Sequence, residues 1–319
     1  MTNSVSLKQR GVQKTKSEKK QSVDKNDPEE KPHFKYGPMP TFQGQHIWAR
    51  GVFIVGALVY VWFNYNKPVE TVMAKYKEIY DMKGYMLECD DEYKKDVSQY
   101  PGCIPKFCGR FVSDKIVTAV EADILLKFAK KVMAMGGSSG GATVMDLNSG
   151  ALSYNDKFIN AYIKDEKLLI PSDRTIFKLV RSKIQNAIAQ TFKLDVDSIH
   201  VTQPLFFSRL TALEAKIPND EYWHPHIDKD TYESFHYTSL IYLNDYGMDF
   251  DGGRFVFMDN MEKSLKNITV EPRKGRVLMF SAGAENPHHV ERVTSGQRYA
   301  MTVPFTCDSS KVINNPQLL

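Results

Sequence analysis

The sequence carries little net charge. Its 42 Lys and Arg residues nearly balance 38 Asp and Glu residues, which leaves +4 over 319 residues. That balance gives no case for a nucleic-acid-binding protein. Wholesale disorder is also excluded, because 42% of the residues are hydrophobic and the charged share of 25% is ordinary for a globular protein. No internal repeat is evident, and double-stranded β folds often exceed about 200 residues as one unit. We therefore expect one main domain with appendages.

Apolar residues are scarce at the amino terminus. Residues 1–46 are polar and rich in Lys, Ser, Gln and Glu, and such a segment cannot offset its own ordering entropy. The sequence therefore predicts a disordered basic tail. Its closely spaced lysines are Lys14, Lys16, Lys19, Lys20 and Lys25.

One run stands apart because it has no charged side chain. Gly51 to Phe63 (GVFIVGALVYVWF) is uninterrupted, and extension to residues 47–65 gives the length of a membrane-spanning helix. Trp48 and Tyr65 place aromatic residues near both ends, as is typical of such helices. We predict a transmembrane signal anchor at 47–65. A buried core helix is the alternative, whereas a cleaved signal peptide fits poorly because the preceding tail is too long.

Lysines lie on both sides of this run, so local charge alone does not fix its orientation. Asn267-Ile268-Thr269 is an acceptor sequon for N-glycosylation, and the four cysteines are even in number. Both features favour a lumenal carboxyl-terminal region, although the cysteines are also compatible with buried thiols. The sequence thus predicts a single-pass type II membrane protein of the endoplasmic reticulum or secretory pathway, glycosylated at Asn267.

The segment after the apolar run looks like an appendage. Residues 66–112 are interpreted as a stalk or cap with a cluster of cysteines. Cys103 and Cys108 suggest a local disulfide site, but the sequence does not give the connectivity.

Residues 113–200 are predicted to form a helical support region. A first helix begins at Ser113 or Asp114 and ends before Gly136-Gly137, and a second begins at Ser172 or Asp173. Apolar residues recur at helical spacing in both. They are Val117, Val120, Ile124, Phe128 and Val132 in the first helix, and Ile176, Phe177, Val180, Ile184, Ile188 and Phe192 in the second.

The pattern changes after residue 200. Short β-like runs such as FHYTSLIYL, GRVLMFSA and RYAMTVPFT alternate with Gly, Pro, Asn and Asp. Regular short strands with turn signals predict a sandwich or barrel. Two helices ahead of such strands would cover one outer face of a sheet.

Histidines are concentrated in this β-rich part, where five of the eight fall between positions 224 and 289. His226 and Asp228 lie two residues apart, so in an extended segment both side chains project to the same side. His288 is the candidate third ligand, and His289 is the alternative. Two imidazoles and one carboxylate form the facial triad that leaves open positions on iron(II). For an isolated His-x-Asp, a hydrogen-bonded loop pair would be the simpler interpretation.

The motifs around these residues resemble a known family. Gly252-Gly253-Arg254 follows a β-like run, and Arg298 follows His288 by ten residues. From about 201 to 306 the arrangement resembles the prolyl-4-hydroxylase-like branch of the 2-oxoglutarate- and iron-dependent oxygenases. The resemblance implies a mainly β fold with flanking helices, in which residues 201–319 form a double-stranded β-helix, or jelly roll.

The resemblance also implies cofactors and roles. Iron(II), held by the two histidines and Asp228, would act with 2-oxoglutarate and O2, and L-ascorbate would help to restore iron(II). Arg298 matches the position that binds the distal carboxylate of 2-oxoglutarate, and a guanidinium suits it because its planar fork binds a carboxylate through two hydrogen bonds. Tyr237 and Tyr299 are further candidates for hydrogen bonds to 2-oxoglutarate, although buried tyrosines often serve packing alone.

The implied reaction is hydroxylation of a C–H bond coupled to decarboxylation of 2-oxoglutarate to succinate. The substrate, a protein or a small molecule, stays open, because Trp223 stands where many prolyl hydroxylases have Tyr. Two alternatives remain. One is a catalytically silent, membrane-tethered binding or scaffold protein with the same fold, and the other is a zinc hydrolase, which leaves Arg298 unexplained.

Overall fold

A computed structural model of the chain describes residues 44–65, 69–259 and 266–314. Nearly all of the predicted tail, residues 1–46, lies outside the described residues. The described helices are α1 Gln45–Tyr65, α2 Asp91–Val97, α3 Ala119–Met133, α4 Ala161–Lys164, α5 Pro171–Phe192 and α6 Asp228–Thr231. The described strands are β1 Val69–Ala74, β2 Lys83–Leu87, β3 Cys108–Ser113, β4 Ala142–Asp146, β5 Ala151–Tyr154, β6 Lys157–Asn160, β7 His200–Val201, β8 Phe206–Thr211, β9 Tyr237–Tyr242, β10 Phe250–Gly252, β11 Phe255–Met258, β12 Lys266–Val270, β13 Val277–Ser281, β14 His288–Val290 and β15 Val293–Thr306.

Helix α1 lies mostly in a first compact unit, which ends at Val61, and every described strand lies in the second unit. Among the described helices, α1 alone is long and apolar enough to cross a membrane, with a mean hydropathy of 1.5 over its most apolar stretch. None of that stretch is buried. Helix α1 is therefore not a buried core helix in this structure.

The strands form two sheets within the described residues. The larger has eleven strands, with the order β2-β3-β13-β9-β15-β8-β4-β5-β6, and β7 and β10 pair with β15. The smaller has four strands in the order β1-β12-β11-β14. Leu240, Tyr242 and Phe280 of the large sheet pack with Phe255 and Phe257 of the small sheet in one apolar cluster. The prediction of a mainly β fold with flanking helices is confirmed.

Side chains of the large sheet alternate between two environments, as the two-residue period of a strand requires. On β9, Thr238 and Leu240 line a cavity on the side of the small sheet. Tyr237 and Ile241 belong instead to the main apolar core. One face of the sheet is therefore available for a site, and the other holds the helices.

Helices α3 and α5 cover the outer face of the large sheet. Phe128 of α3 contacts Phe177 of α5 at 5.1 Å between ring centroids, and Phe177 lies 5.9 Å from Phe207 of β8. Each helix thus buries an apolar stripe against the strands, as predicted for a helical layer on one face. The predicted stripe of α3 is wrong at Val120, which is 70% exposed, and the buried apolar residues of α3 are instead Ala122, Leu125, Phe128, Ala129, Val132 and Met133. The predicted α5 residues are buried throughout the stripe, namely Ile176, Phe177, Val180, Ile184, Ile188 and Phe192.

Helices α3 and α5 do not begin at the residues predicted from the sequence. Ser113 ends β3, and α3 begins after Thr118, whose side chain and that of Glu121 form a reciprocal capping box. This cap satisfies two backbone donors at once and so fixes the later start. α5 begins at Pro171, because proline is pre-organised for the first helical position.

The prediction that residues 66–112 form a separate stalk or cap is wrong. β1 pairs with β12 in the small sheet, and β2 and β3 extend the large sheet beside β13. Residues 113–200 also contribute β4, β5 and β6, so that region is not wholly helical. Strand partners far away in sequence leave no signal in a local pattern, which explains the first correction.

The four cysteines form two disulfides, Cys89–Cys108 and Cys103–Cys307. Cys103 and Cys108 therefore do not pair with each other, although they are close in sequence. Cys103–Cys307 spans 204 residues and joins the segment before β3 to the end of β15. Cys89–Cys108 closes a local loop between β2 and β3, and only Cys103–Cys307 ties this segment to the carboxyl-terminal strands.

Candidate metal centre and anion site

His226 and His288 are brought together by backbone pairing. The His226 N–H donates to the His288 carbonyl at 2.9 Å, and the His288 N–H donates back at 3.0 Å. The Nδ1 atom of each ring lies near a backbone carbonyl, that of His224 at 3.1 Å and that of Asn286 at 3.0 Å. A carbonyl only accepts, so these contacts assign the proton to Nδ1 and leave the Nε2 lone pair for a metal.

Asp228 completes the group. Its Oδ1 lies 3.6 Å from His226 Nε2 and 3.5 Å from His288 Nε2. The three potential ligand atoms lie within 4.8 Å of one another. The structure therefore brings the three predicted residues together around one point, and His288 rather than His289 is the histidine that meets them.

His288 lies in an apolar environment. Its ring stacks on Phe255 at 4.7 Å between centroids and contacts Phe280 at 5.0 Å. Burial lowers the pKa of His288 to about 4, so the ring is neutral at pH 7. A neutral imidazole is the form that binds a divalent metal.

Arg298 lies buried on β15 and lines the same cavity. Within the described residues, its Nε and Nη2 have no hydrogen-bond partner, and the same holds for the hydroxyl of nearby Tyr242. The Arg298 Cζ lies 5.4 Å from the centre of the Tyr242 ring. Unpaired buried donors are costly, so this arrangement suits an anionic group between them.

Gly253 explains part of the predicted Gly252-Gly253 motif. Its φ is +62°, and a Cβ atom there would lie 2.9 Å from both Arg298 Cδ and Val293 Cγ2. A side chain at this position would press on the arginine. Glycine is therefore required both for the left-handed backbone and for the close approach.

One cavity of about 360 Å³ joins these two ends. His226, Asp228 and His288 line it, and so does Arg298. Much of the remaining wall is apolar, with Leu210, Leu240 and Phe280 among the lining residues. The donor set of two imidazoles and one carboxylate fits iron(II), and the unpaired guanidinium fits a carboxylate.

Tyr237 and Tyr299 do not reach this cavity. The Tyr237 hydroxyl donates to the Cys103 carbonyl at 3.0 Å, and the Tyr299 hydroxyl donates to Gln297 Oε1 at 2.9 Å. Both rings belong to the core on the opposite face of the sheet. The expectation that they hydrogen-bond 2-oxoglutarate is corrected accordingly.

Sequence reasoning missed Tyr242 and Thr238. On β9, Thr238, Leu240 and Tyr242 share the face opposite to Tyr237, so the two-residue period groups them but does not say which of the two faces carries the site. Burial raises the pKa of Tyr242, which keeps its hydroxyl protonated and able to donate. Trp223 is not a lining residue and packs under Arg292, whose Cζ lies 3.7 Å from the ring centre.

Asn267 lies on β12, opposite Glu70 of β1 and Met258 of β11. The residue is half-buried, and Thr269 of the same sequon is buried. Glycosylation of Asn267 stays a prediction.

Comparison with known proteins agrees with this site. Residues 213–305 match the family described as the 2OG-Fe(II) oxygenase superfamily. The chain belongs to that family and is an oxidoreductase of its class, for which iron(II), 2-oxoglutarate and O2 are implied. It is 45% identical over 257 residues to "2-oxoglutarate and iron-dependent oxygenase domain-containing protein 3" of Xenopus tropicalis, a match that covers 79% of each chain.

Two further likenesses are more limited. The chain is 46% identical over 72 residues to "Prolyl 3-hydroxylase 2" of Mus musculus, which covers 23% of this chain and 10% of that protein. A solved structure of an oxidoreductase of the 2OG-Fe(II) oxygenase family from Burkholderia pseudomallei shares 13% identity, with a TM-score of 0.43. That match covers 78% of this chain and 98% of the other.

Proposed function

We propose that the chain is an iron(II)- and 2-oxoglutarate-dependent dioxygenase that hydroxylates a C–H bond while 2-oxoglutarate is decarboxylated to succinate. The supporting observation is the convergence in one cavity of three metal-ligand atoms and a buried guanidinium, two of whose nitrogens have no hydrogen-bond partner in the described residues. A zinc hydrolase would leave Arg298 without a role. A catalytically silent scaffold would have no reason to keep such a cation buried and unpaired.

Each residue has a defined task in this proposal. His226, Asp228 and His288 bind the metal, and Arg298 with Tyr242 binds the distal carboxylate of 2-oxoglutarate through charge-assisted hydrogen bonds. Iron(II), once bound, supplies the activation of O2. Much of the cavity wall is apolar, and an apolar wall strengthens the electrostatic contacts inside the cavity.

Succinate formation tests the proposal. Full-length protein, loaded with iron(II) under anaerobic conditions and then given 2-oxoglutarate and O2, should release succinate even without a substrate. Asp228→Ala should lose most bound iron and most succinate, because the triad loses its anionic ligand. Asp230→Ala, an exposed aspartate two residues away, is the matched control and should retain both. Failure of iron-loaded parent protein to form succinate would favour the scaffold alternative.

The substrate is proposed to be a protein or a small molecule, and not a nucleic acid. Hydroxylated species in cells that express the parent chain should be compared by mass spectrometry with those in cells that express Asp228→Ala. A true substrate gains one oxygen atom only with the parent.

L-Ascorbate is proposed as a helper that restores iron(II), so it should prolong succinate formation over repeated turnovers. A time course that ascorbate does not change would contradict this role.

The chain is also proposed to be a type II membrane protein of the secretory pathway with a lumenal catalytic domain. The apolar helix α1, the two disulfides and the Asn267 sequon support this location. In intact microsomes, a carboxyl-terminal tag should resist added protease until detergent is present. Asn267→Gln should abolish any glycan-dependent mobility shift. Digestion of the tag without detergent would show that the carboxyl-terminal domain faces the cytosol, which contradicts the proposed orientation.

A further inference from the structure

Thr238 is the second residue of β9 and is 3% exposed. Its backbone lies opposite Phe280 of β13 and Pro304 of β15, so it is held between two strands near the middle of the large sheet. Its hydroxyl donates to Asp228 Oδ2 at 2.6 Å. A residue fixed by the sheet therefore holds a carboxylate that is not itself on a strand.

The two oxygens of Asp228 differ in their surroundings. Oδ1 faces the Nε2 atoms of His226 and His288 at 3.6 and 3.5 Å. Oδ2 accepts a hydrogen bond from the hydroxyl of Thr238. Asp228 begins the short helix α6, so its backbone has less support from neighbouring strands than Thr238 has.

We propose that Thr238 is a positioning residue, which holds Asp228 so that a single carboxylate oxygen faces the metal. This inference rests on the proposed function. With Oδ2 engaged by a hydroxyl, the carboxylate does not swing round to offer both oxygens. The positions that 2-oxoglutarate and O2 need thus stay open, and the ligand is oriented before metal arrives.

Three variants of the full-length chain separate this role from general packing. Thr238→Val keeps the shape but removes the hydroxyl, and Thr238→Ser keeps the hydroxyl. Thr202→Val is the matched control, because it removes another buried threonine hydroxyl, which donates to the Lys311 carbonyl at 2.8 Å. Near-UV circular dichroism verifies that each variant keeps its packing.

Mn(II) is the probe, and the electron paramagnetic resonance signal of unbound Mn(II) reports its dissociation constant. Thr238→Val should bind about 10- to 100-fold more weakly than the parent, the range for loss of a partner that orients a ligand. Thr238→Ser should stay near the parent, and Thr202→Val should match the parent. With Co(II), the visible absorption spectrum should change in Thr238→Val and be restored in Thr238→Ser.

The outcomes distinguish the two proposals. A parent chain that binds no Mn(II) overturns the proposed function and this inference with it. A parent that binds Mn(II), together with a folded Thr238→Val that binds equally well and has an unchanged Co(II) spectrum, overturns the role of Thr238 alone. Equal weakening by Thr202→Val would also overturn it, because the effect would then follow from lost stability.

Discussion

At the scale of single residues, the site depends on buried polar groups that have no hydrogen-bond partner within the described residues. Arg298 is 2% exposed, and its Nε and Nη2 have no partner in the described part of the chain. Burial lowers the pKa of Arg298, but a guanidinium stays charged at pH 7. A charge held in this state binds an anion strongly, since the anion replaces missing hydrogen bonds without displacing existing ones.

Replacing that charge should separate co-substrate binding from metal binding. Arg298→Ala should raise the KM for 2-oxoglutarate by roughly 10- to 100-fold, which corresponds to about 1.5–3 kcal/mol for a charge-assisted hydrogen bond. The amount of bound iron should not change. Arg209→Ala is the control, because Arg209 donates to Thr143 and does not line the cavity. An unchanged KM in Arg298→Ala would assign the carboxylate site to another residue.

Gly253 permits a matched experiment on backbone strain. Gly253→Ala should lower stability by more than about 1 kcal/mol, because the overlap of the new Cβ with Arg298 and Val293 adds to the strain of a φ of +62°, and it should also raise the KM for 2-oxoglutarate because the Cβ pushes on Arg298. Gly247 has a φ of +74°, and a Cβ atom there would meet no other atom within 4 Å. Gly247→Ala should therefore lose about 1 kcal/mol of stability from the backbone strain alone, with no change in KM. Equal KM values in the two variants would show that the contact between the new Cβ and Arg298 does not affect the binding of 2-oxoglutarate.

At the scale of elements, period and spacing account for what the sequence predicted. His226 and Asp228 met because they are two residues apart, and the α5 stripe was buried because it repeats at helical spacing. The prediction for Tyr237 was wrong because neighbouring residues of a strand point to opposite faces, and Tyr237 lies on the face away from the cavity. Residue type alone suggested that tyrosine, and only the pairing of β9 with β13 and β15 shows that Tyr242 faces Arg298.

The interface between α5 and the large sheet should carry much of the stability. Phe177 is buried between Phe128 and Phe207, so Phe177→Ala should lower the free energy of unfolding by about 3–5 kcal/mol. Leu179 lies on the same helix and is 44% exposed. Leu179→Ala should cost less than about 1 kcal/mol. Urea unfolding of both variants, followed by circular dichroism, measures the difference, and similar midpoints would show that α5 contributes little.

At the scale of the whole molecule, contacts between segments far apart in the chain could not be predicted from the sequence. β1 and β12 pair across almost the length of the second unit, and Cys103 bonds with Cys307 over 204 residues. Segments 66–112 and 201–319 looked like different domains because composition is a local property. Their joint sheets and the Cys103–Cys307 disulfide show that the amino-terminal strands complete the fold that positions the site.

The two disulfides should differ in what they contribute. Cross-linking restricts the unfolded chain more when the closed loop is longer, and the loops here span 204 and 19 residues. Replacing Cys103 and Cys307 together by serine should therefore lower the free energy of unfolding by roughly 2 kcal/mol more than replacing Cys89 and Cys108. Thermal unfolding of both double variants in non-reducing buffer measures this.

Reduction provides the internal control for that comparison. In reducing buffer neither variant keeps a cross-link, so a difference that comes from chain entropy should disappear. A difference that persists would come from burying serine in place of cysteine at these positions. Equal stability of the two variants before reduction would mean that loop length does not decide the contribution of either bridge.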